Sequence, residues 1–167
     1  MVLQRCLTSS PVGELQIMAR KNTLISVMWS DRIAETEWHL HRHMGPWTTE
    51  TVEEIPDWSS ALYAYFKGER SAFTGLSIDP PGTAFQALVW TGLQAIPQGC
   101  TRSYQELARA IGRPTACRAV ANANGKNPMP IVIPCHRAIG ANGRLGGFSA
   151  GLPRKRWLLR HEGVDRF

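Results

Sequence analysis

A cysteine and a histidine stand side by side at Cys135-His136, inside the pentapeptide Ile133-Pro134-Cys135-His136-Arg137 that ends an apolar run. A thiol becomes a strong nucleophile when a base or a positive charge favours its thiolate, and His136 and Arg137 offer one of each. Adjacency also raises an objection. In extended chain, neighbouring side chains point to opposite faces, so the pair can cooperate only if the backbone turns or something bridges them. Pro134 favours a turn, because its ring fixes φ and it has no N–H for a sheet ladder. A histidine acting as base also needs an acceptor to orient it. After residue 82 the only carboxylates are Glu106, Glu162 and Asp165. Glu106 is taken by a helix cap, which leaves Glu162 as the choice. Alone, a Cys-His dipeptide is weak, and a packed structural cysteine is the commoner explanation.

Other residues could join such chemistry. Arg118 falls early in the second helix of a helix-turn-helix pattern, where a side chain meets DNA, and it equally fits a surface arginine. Tyr104 opens the first of those helices and offers a hydroxyl to a ligand or a ring to the core. Asn127-Pro128 signals a turn whose Asn side chain can bond to a nearby site. His39, His41 and His43 alternate in "HLHRHM". On a helix, positions i and i+2 do not share a face, so solvent-exposed histidines are expected there rather than a metal site.

The elements that must position these residues follow from periodicity and punctuation. "GELQIMARKNTLISVMW" reads as a hairpin in which Leu15, Ile17 and Ala19 alternate with outward residues across a Lys21-Asn22 turn. Residues 31–44 read as a helix capped by Asp31, and "DWSSALYAYFKGE" as a second helix. Pro80-Pro81-Gly82 then marks a domain boundary, dividing the chain into 1–82 and 83–167. Beyond it, "FQALVWTGLQAI" has helical spacing, and Ser103 to Glu106 form a capping box for a short helix closed by Gly112. Thr115 is expected to cap the next helix, "ACRAVANAN". An extended segment, an Asn142-Gly143 turn, a Gly-rich loop and a last helix opened by Pro153 complete the chain.

Composition narrows the partners. Residues 1–82 hold 7 Lys/Arg against 10 Asp/Glu, and residues 83–167 hold 12 against 3, so the net +6 is a −3 half joined to a +9 half. A basic second half with a helix-turn-helix and a turn-containing wing is the footprint of a DNA-binding domain, against the alternative of a helical core. No apolar stretch approaches the roughly 18 residues of a membrane span. The four cysteines are scattered without a C-x-x-C pair, which favours free thiols in a reducing, cytoplasmic setting.

"RAVANANGKNPMPIVIPCHRAIGANGRLGGFSAG" followed by "KRWLLRHEG" closely resembles the O6-alkylguanine-DNA alkyltransferases, the methylated-DNA–protein-cysteine methyltransferases. The similarity runs almost continuously from about Thr83 to Gly163 and includes "SYQELA". "SPVGELQI" and "LYAYFKGE" also look like that family's first domain. The resemblance implies an α/β RNase H-like N-terminal domain and a mainly α C-terminal domain with a winged helix-turn-helix. It implies a monomer that binds double-stranded DNA in the minor groove and flips the alkylated nucleotide into a pocket. Cys135 would accept the alkyl group from O6 of guanine, or less well from O4 of thymine. A water would bridge it to His136, which Glu162 orients. Tyr104 would assist the leaving group, and Asn127 would brace the active-site turn. Arg118 would fill the space left by the flipped base. Thr115, Ala119, Ala123, Gly125 and Lys126 would contact DNA, and Ala138, Phe148 and Ser149 would line the pocket with Tyr104. Each molecule would react once, with no cofactor and no metal. The chain departs from the family where Phe148, Ala150 and Gly151 replace tyrosine and two glycines of the pocket loop. A lesion-binding module without a nucleophile and a winged-helix regulator are the rival readings; the first lacks the cysteine, and the second leaves Cys135, His136 and Glu162 unused.

Overall fold

In the computed structural model, which describes residues 1–167, the N-terminal half is built on a sheet larger than the hairpin. Strands β1 (Val2–Thr8), β2 (Leu15–Arg20), β3 (Thr23–Trp29) and β4 (Thr48–Thr51) lie in the order β3-β2-β1-β4. Neighbours are antiparallel except for β1 and β4, which run parallel. β1 escapes a period-2 reading because its buried residues, Leu3 and Cys6, are three apart and face opposite sides. β4 is a short polar edge, Thr-Thr-Glu-Thr, with no apolar pattern to announce it.

Both faces of this sheet are covered, which corrects the expected alternation in β2. Gln16 and Met18 are buried alongside Leu15, Ile17 and Ala19. Helix α1 (Ile33–Met44) places Leu40 against Leu3, Met18 and Ile25 on one side. On the other, Cys6 meets Ile55 and Ser59 at the start of helix α2 (Pro56–Phe66). Asp31 is not the cap of α1: Ser30–Arg32 form a 3-10 turn, and α1 starts after Arg32 without a side-chain cap. The three histidines diverge around α1. His39 is buried, not solvent-exposed, and its Nε2–H donates to the Pro81 carbonyl at 2.7 Å. His41 stacks on Trp47 at 4.6 Å, and no His, Cys, Asp and Glu cluster able to hold a metal forms.

The chain divides by internal contacts into Met1–Gly82 and Thr83–Phe167. The second unit contains α3 (Ala84–Gln94), α4 (Tyr104–Ala110), α5 (Cys117–Gly125) and α6 (Leu152–His161). Capping boxes open α3, through Thr83 and Gln86, and α4, through Ser103 and Glu106. α4 and α5 form the helix-turn-helix. The cap of α5 is Ala116 rather than Thr115, and Thr115 is exposed in the turn before it. A side chain at Gly92 of α3 would come within 2.6 Å of Ile111, so glycine permits the close approach of the α3 and α4 region. The Trp90 indole N–H donates to the Ala123 carbonyl at 3.0 Å and ties α3 to α5. Two-residue strands β5 (Arg102–Ser103) and β6 (Ala138–Ile139) pair in parallel beside the Asn142-Gly143 turn, where Gly143 has φ +77°. No helix is long and apolar enough to cross a membrane.

Candidate active site

The backbone does turn at the Cys-His pair, by a mechanism specific to Pro134. Its φ of −79° and ψ of 63° make an inverse γ-turn, closed by the Cys135 N–H donating to the Ile133 carbonyl at 2.7 Å. Cys135–Arg137 continue as a 3-10 turn, so the segment is not extended. Asn127 braces this bend from the end of α5. Its Nδ2 donates to the same Ile133 carbonyl at 2.8 Å, and its Oδ1 accepts from the Met129 N–H at 2.9 Å. The Asn127 side chain also favours the ionised form of the Cys135 thiol. Ile131 sits at φ 77°, a costly conformation for a β-branched residue, inside this over-determined loop.

Behind the cysteine lies a buried charged relay. The His136 Nε2–H donates to Glu162 Oε1 at 2.9 Å, with both side chains fully buried. Arg137 grips the same carboxylate, Nε to Oε2 at 2.8 Å and Nη2 to Oε1 at 2.9 Å, and its Nη1 donates to the Ile96 carbonyl at 2.6 Å. Glu162 caps the C-terminus of α6, so three pieces of chain converge: the end of α3, the Cys135 turn and the end of α6. Burial alone would raise the Glu162 carboxyl, but the hydrogen bonds from His136 and Arg137 outweigh it and hold the group well below the usual carboxylate range. Burial pushes the His136 imidazole below its ordinary value, against the pull of Glu162. His136 is therefore neutral near pH 7, with its proton on Nε2. Nδ1, also buried, has no hydrogen-bond partner in the protein and keeps a free lone pair. Burial pushes the Cys135 thiol up to about 11, so at rest it holds its proton.

A protonated thiol beside a neutral, carboxylate-oriented imidazole is a nucleophile awaiting its base. The family model of the 6-O-methylguanine DNA methyltransferase DNA-binding domain matches residues 84–164, which contain every one of these groups, and that of its ribonuclease-like domain matches residues 4–80. The chain belongs to the 6-O-methylguanine DNA methyltransferase family. The methylated-DNA–protein-cysteine methyltransferase of Salmonella typhimurium is 40% identical over 93% of this chain and 92% of its own. That of Methanosarcina acetivorans is 49% identical over 68% of this chain and 72% of its own. Among solved structures, Mycobacterium tuberculosis OGT in complex with DNA superposes with a TM-score of 0.79 at 36% identity, covering 97% of this chain and 92% of that one.

The remaining residues expected to act in this methyltransferase sort by exposure. Tyr104, the first residue of α4, is half-buried, and burial followed by the nearby Cys135 and Cys117 pushes its phenol up to about 12, so it remains a donor. Ser149 is exposed, Phe148 half-buried, and Ala138 and Ala150 buried. On the helix-turn-helix, Thr115, Arg118, Ala119, Gly125 and Lys126 are exposed. Ala123 is not available to DNA: it is 4% exposed, on the face of α5 that packs inward with Val120. Two residues of the site were not foreseen in these roles. Arg137 was read as a charge near the thiol, yet its guanidinium is spent on Glu162. Lys155, in the basic run "PRKRW", is fully buried, although nothing in that run separates it from its exposed neighbour Arg156. Helical spacing from Leu158 and Leu159 is the one signal that could have found it, since i+3 and i+4 share a face.

Proposed function

We infer that this protein repairs DNA by direct reversal, moving the alkyl group of O6-alkylguanine, and less readily that of O4-alkylthymine, onto Cys135 in one irreversible turnover. The observation that carries this reading is the Cys135 turn set before the buried His136–Glu162–Arg137 relay. The Cys135 proton passes through a bridging water to His136 Nδ1, whose lone pair no protein group occupies. The resulting imidazolium is stabilised by Glu162, which stays ionised under its two partners. The thiolate displaces the O6 oxygen from the alkyl carbon: the C–S bond forms, and the C–O electrons leave with guanine. Tyr104 donates to the leaving base, and the proton held by His136 returns to it through the water. A thioether and an unmodified guanine result. Because the thioether offers no leaving group at neutral pH, the protein is consumed.

The basic helix-turn-helix supplies the DNA contacts, with exposed Thr115, Arg118, Ala119, Gly125 and Lys126 facing the duplex. We assign the minor groove as the docking site. There Arg118 occupies the stack vacated by the extruded nucleotide, offsetting part of a flipping cost of a few kcal/mol. The protein acts as a monomer in the cytoplasm, a compartment that keeps Cys6, Cys100, Cys117 and Cys135 as the free thiols seen here. Phe148, in the pocket loop beside Ala150, gives the pocket an apolar wall where a tyrosine would offer a hydroxyl.

The direct test is intact mass after incubation with duplex DNA carrying one O6-methylguanine. A gain of about 14 Da, located by peptide mapping on Cys135, is expected from thiolate nucleophilic transfer. Tight lesion binding with unchanged mass would instead make the protein a non-catalytic lesion sensor. The pH profile is a second expectation. His136 is a base only while neutral, and its depressed value means it protonates below the ordinary histidine value of about 6.5. Single-turnover rates should therefore hold as pH falls through 6.5 and drop only in more acidic solution. A half-maximal rate at the ordinary value would show that His136 is not held neutral by burial.

A further inference from the structure

Lys155 is the buried titratable group that the transfer reaction, as derived above, leaves without a task. Its side chain is fully buried in α6, and all the contacts of its Nζ are neutral. The ammonium donates to the carbonyls of Ala138 at 2.6 Å, Leu145 at 2.5 Å and Gly147 at 3.3 Å. It also lies 5.9 Å from the centroids of both the Tyr104 and the Phe148 rings. No carboxylate stands within ion-pair distance of it. Lysine is almost never fully buried unless paired, because removing an ammonium from water costs several kcal/mol. Here carbonyl dipoles and aromatic faces solvate it in part, which keeps a net positive charge inside the unit.

The three carbonyls belong to consecutive pieces of the site. Ala138 follows the Cys135–Arg137 turn in β6, Leu145 ends the Asn142-Gly143 turn, and Gly147 leads into the loop of Phe148 and Ser149. One ammonium therefore pins the whole segment from the nucleophile to the pocket loop onto α6. The anion that this charge lacks at rest arises only during the reaction, at Cys135 and then on the departing base. We propose that Lys155 is a positioning residue for alkyl transfer, whose buried ammonium holds the pocket loop on three carbonyls and supplies the positive charge against which Cys135 becomes a thiolate. Electrostatic coupling between the two groups supports this: the Lys155 charge favours the ionised thiol, while burial pushes the lysine down to about 8 against an upward pull from Cys135. The same charge pushes His136 down, which helps keep its imidazole unprotonated before transfer.

The inference rests on Cys135 being the acceptor, so its test is separated from the DNA reaction. The full chain, without DNA, is treated with iodoacetamide across a pH series, and alkylation of the Cys135 peptide is followed by mass spectrometry. In Lys155→Met and Lys155→Gln the reaction at pH 7, where a lysine pushed down to about 8 still carries its charge, is expected to be roughly tenfold slower, and the difference to shrink above pH 8 as the parent lysine loses its proton. Transfer from methylated duplex should fall in step. An unchanged rate at pH 7 in a folded variant, whatever happens to the transfer rate, overturns the electrostatic role and leaves only packing. Should both variants fail to fold by circular dichroism, the unaltered protein decides by NMR of 15N-labelled lysine side chains. A slowly exchanging, hydrogen-bonded ammonium signal distinct from exposed Lys21, Lys67 and Lys126 is expected. Four lysines with the same fast exchange would overturn the proposal. Failure of the unaltered protein to take up methyl from DNA would count against the function, not against Lys155.

Discussion

Glu162→Gln is expected to slow methyl transfer by roughly 10²–10⁴-fold, the scale on which losing the carboxylate of a catalytic triad acts. The size follows from how many partners the carboxylate serves. Glu162 accepts from His136 Nε2 and from two nitrogens of Arg137. A glutamine keeps one acceptor oxygen but presents an NH₂ to one of the two donors. Either His136 loses the acceptor that holds its proton on Nε2, or Arg137 faces a donor. The imidazolium formed during transfer also loses its counter-charge. Stability should fall too, since removing one partner of a buried ion pair strands the other, although Arg137 keeps some solvent contact and this tempers the cost. The pH dependence identifies the cause. The folded Glu162 value is depressed, so its contribution is present above the unfolded carboxylate value and disappears as pH falls through the folded one. Urea unfolding of the two proteins should therefore differ most at neutral pH and converge in acid. A transfer rate within twofold of the parent, at equal DNA affinity, would remove Glu162 from the mechanism.

Arg118→Ala should cost roughly 10²-fold in repair of a lesion in duplex DNA, the rate equivalent of the few kcal/mol that nucleotide extrusion demands. It should leave reaction with a free O6-alkylguanine base nearly untouched. Arg118 is exposed at the second position of α5, while the relay around Cys135 is buried, so truncation does not disturb the nucleophile. The comparison needs only single-turnover rates on the two substrates. Losses of equal size on both would show that Arg118 supports the pocket itself, and the role in filling the stack would fall. A loss that vanishes at low salt would reduce Arg118 to a phosphate contact.

Local chemistry explains which features were legible in the sequence. The Ser103–Glu106 capping box involves groups three residues apart, and both of its hydrogen bonds form as read. Pro134 announced a turn because a fixed φ is a property of one residue. Glu162 emerged as the partner of His136 by elimination among three carboxylates, and the two meet at 2.9 Å. Where the reading failed, the deciding contact lay elsewhere in the chain. Asp31 and Thr115 carry the side chains of good caps, yet α1 and α5 begin without them. His39 was read from its own helix, but a carbonyl 42 residues away gives it a buried partner. Ala123 came only from the family resemblance, and the fold places it on the buried face of α5 with Val120.

What the sequence by itself determined is the reagent set: a cysteine beside a histidine, one available glutamate, and a basic half able to meet DNA. Residue types and short spacings carry that much, because they decide which bonds are chemically possible. Tertiary structure decided how those reagents are poised. It braced the Pro134 turn with Asn127, gave Glu162 to Arg137 as well as His136, and buried Lys155 without a counter-charge. Each of these depends on burial, and burial comes from groups tens of residues apart that the chain brings together only when it folds.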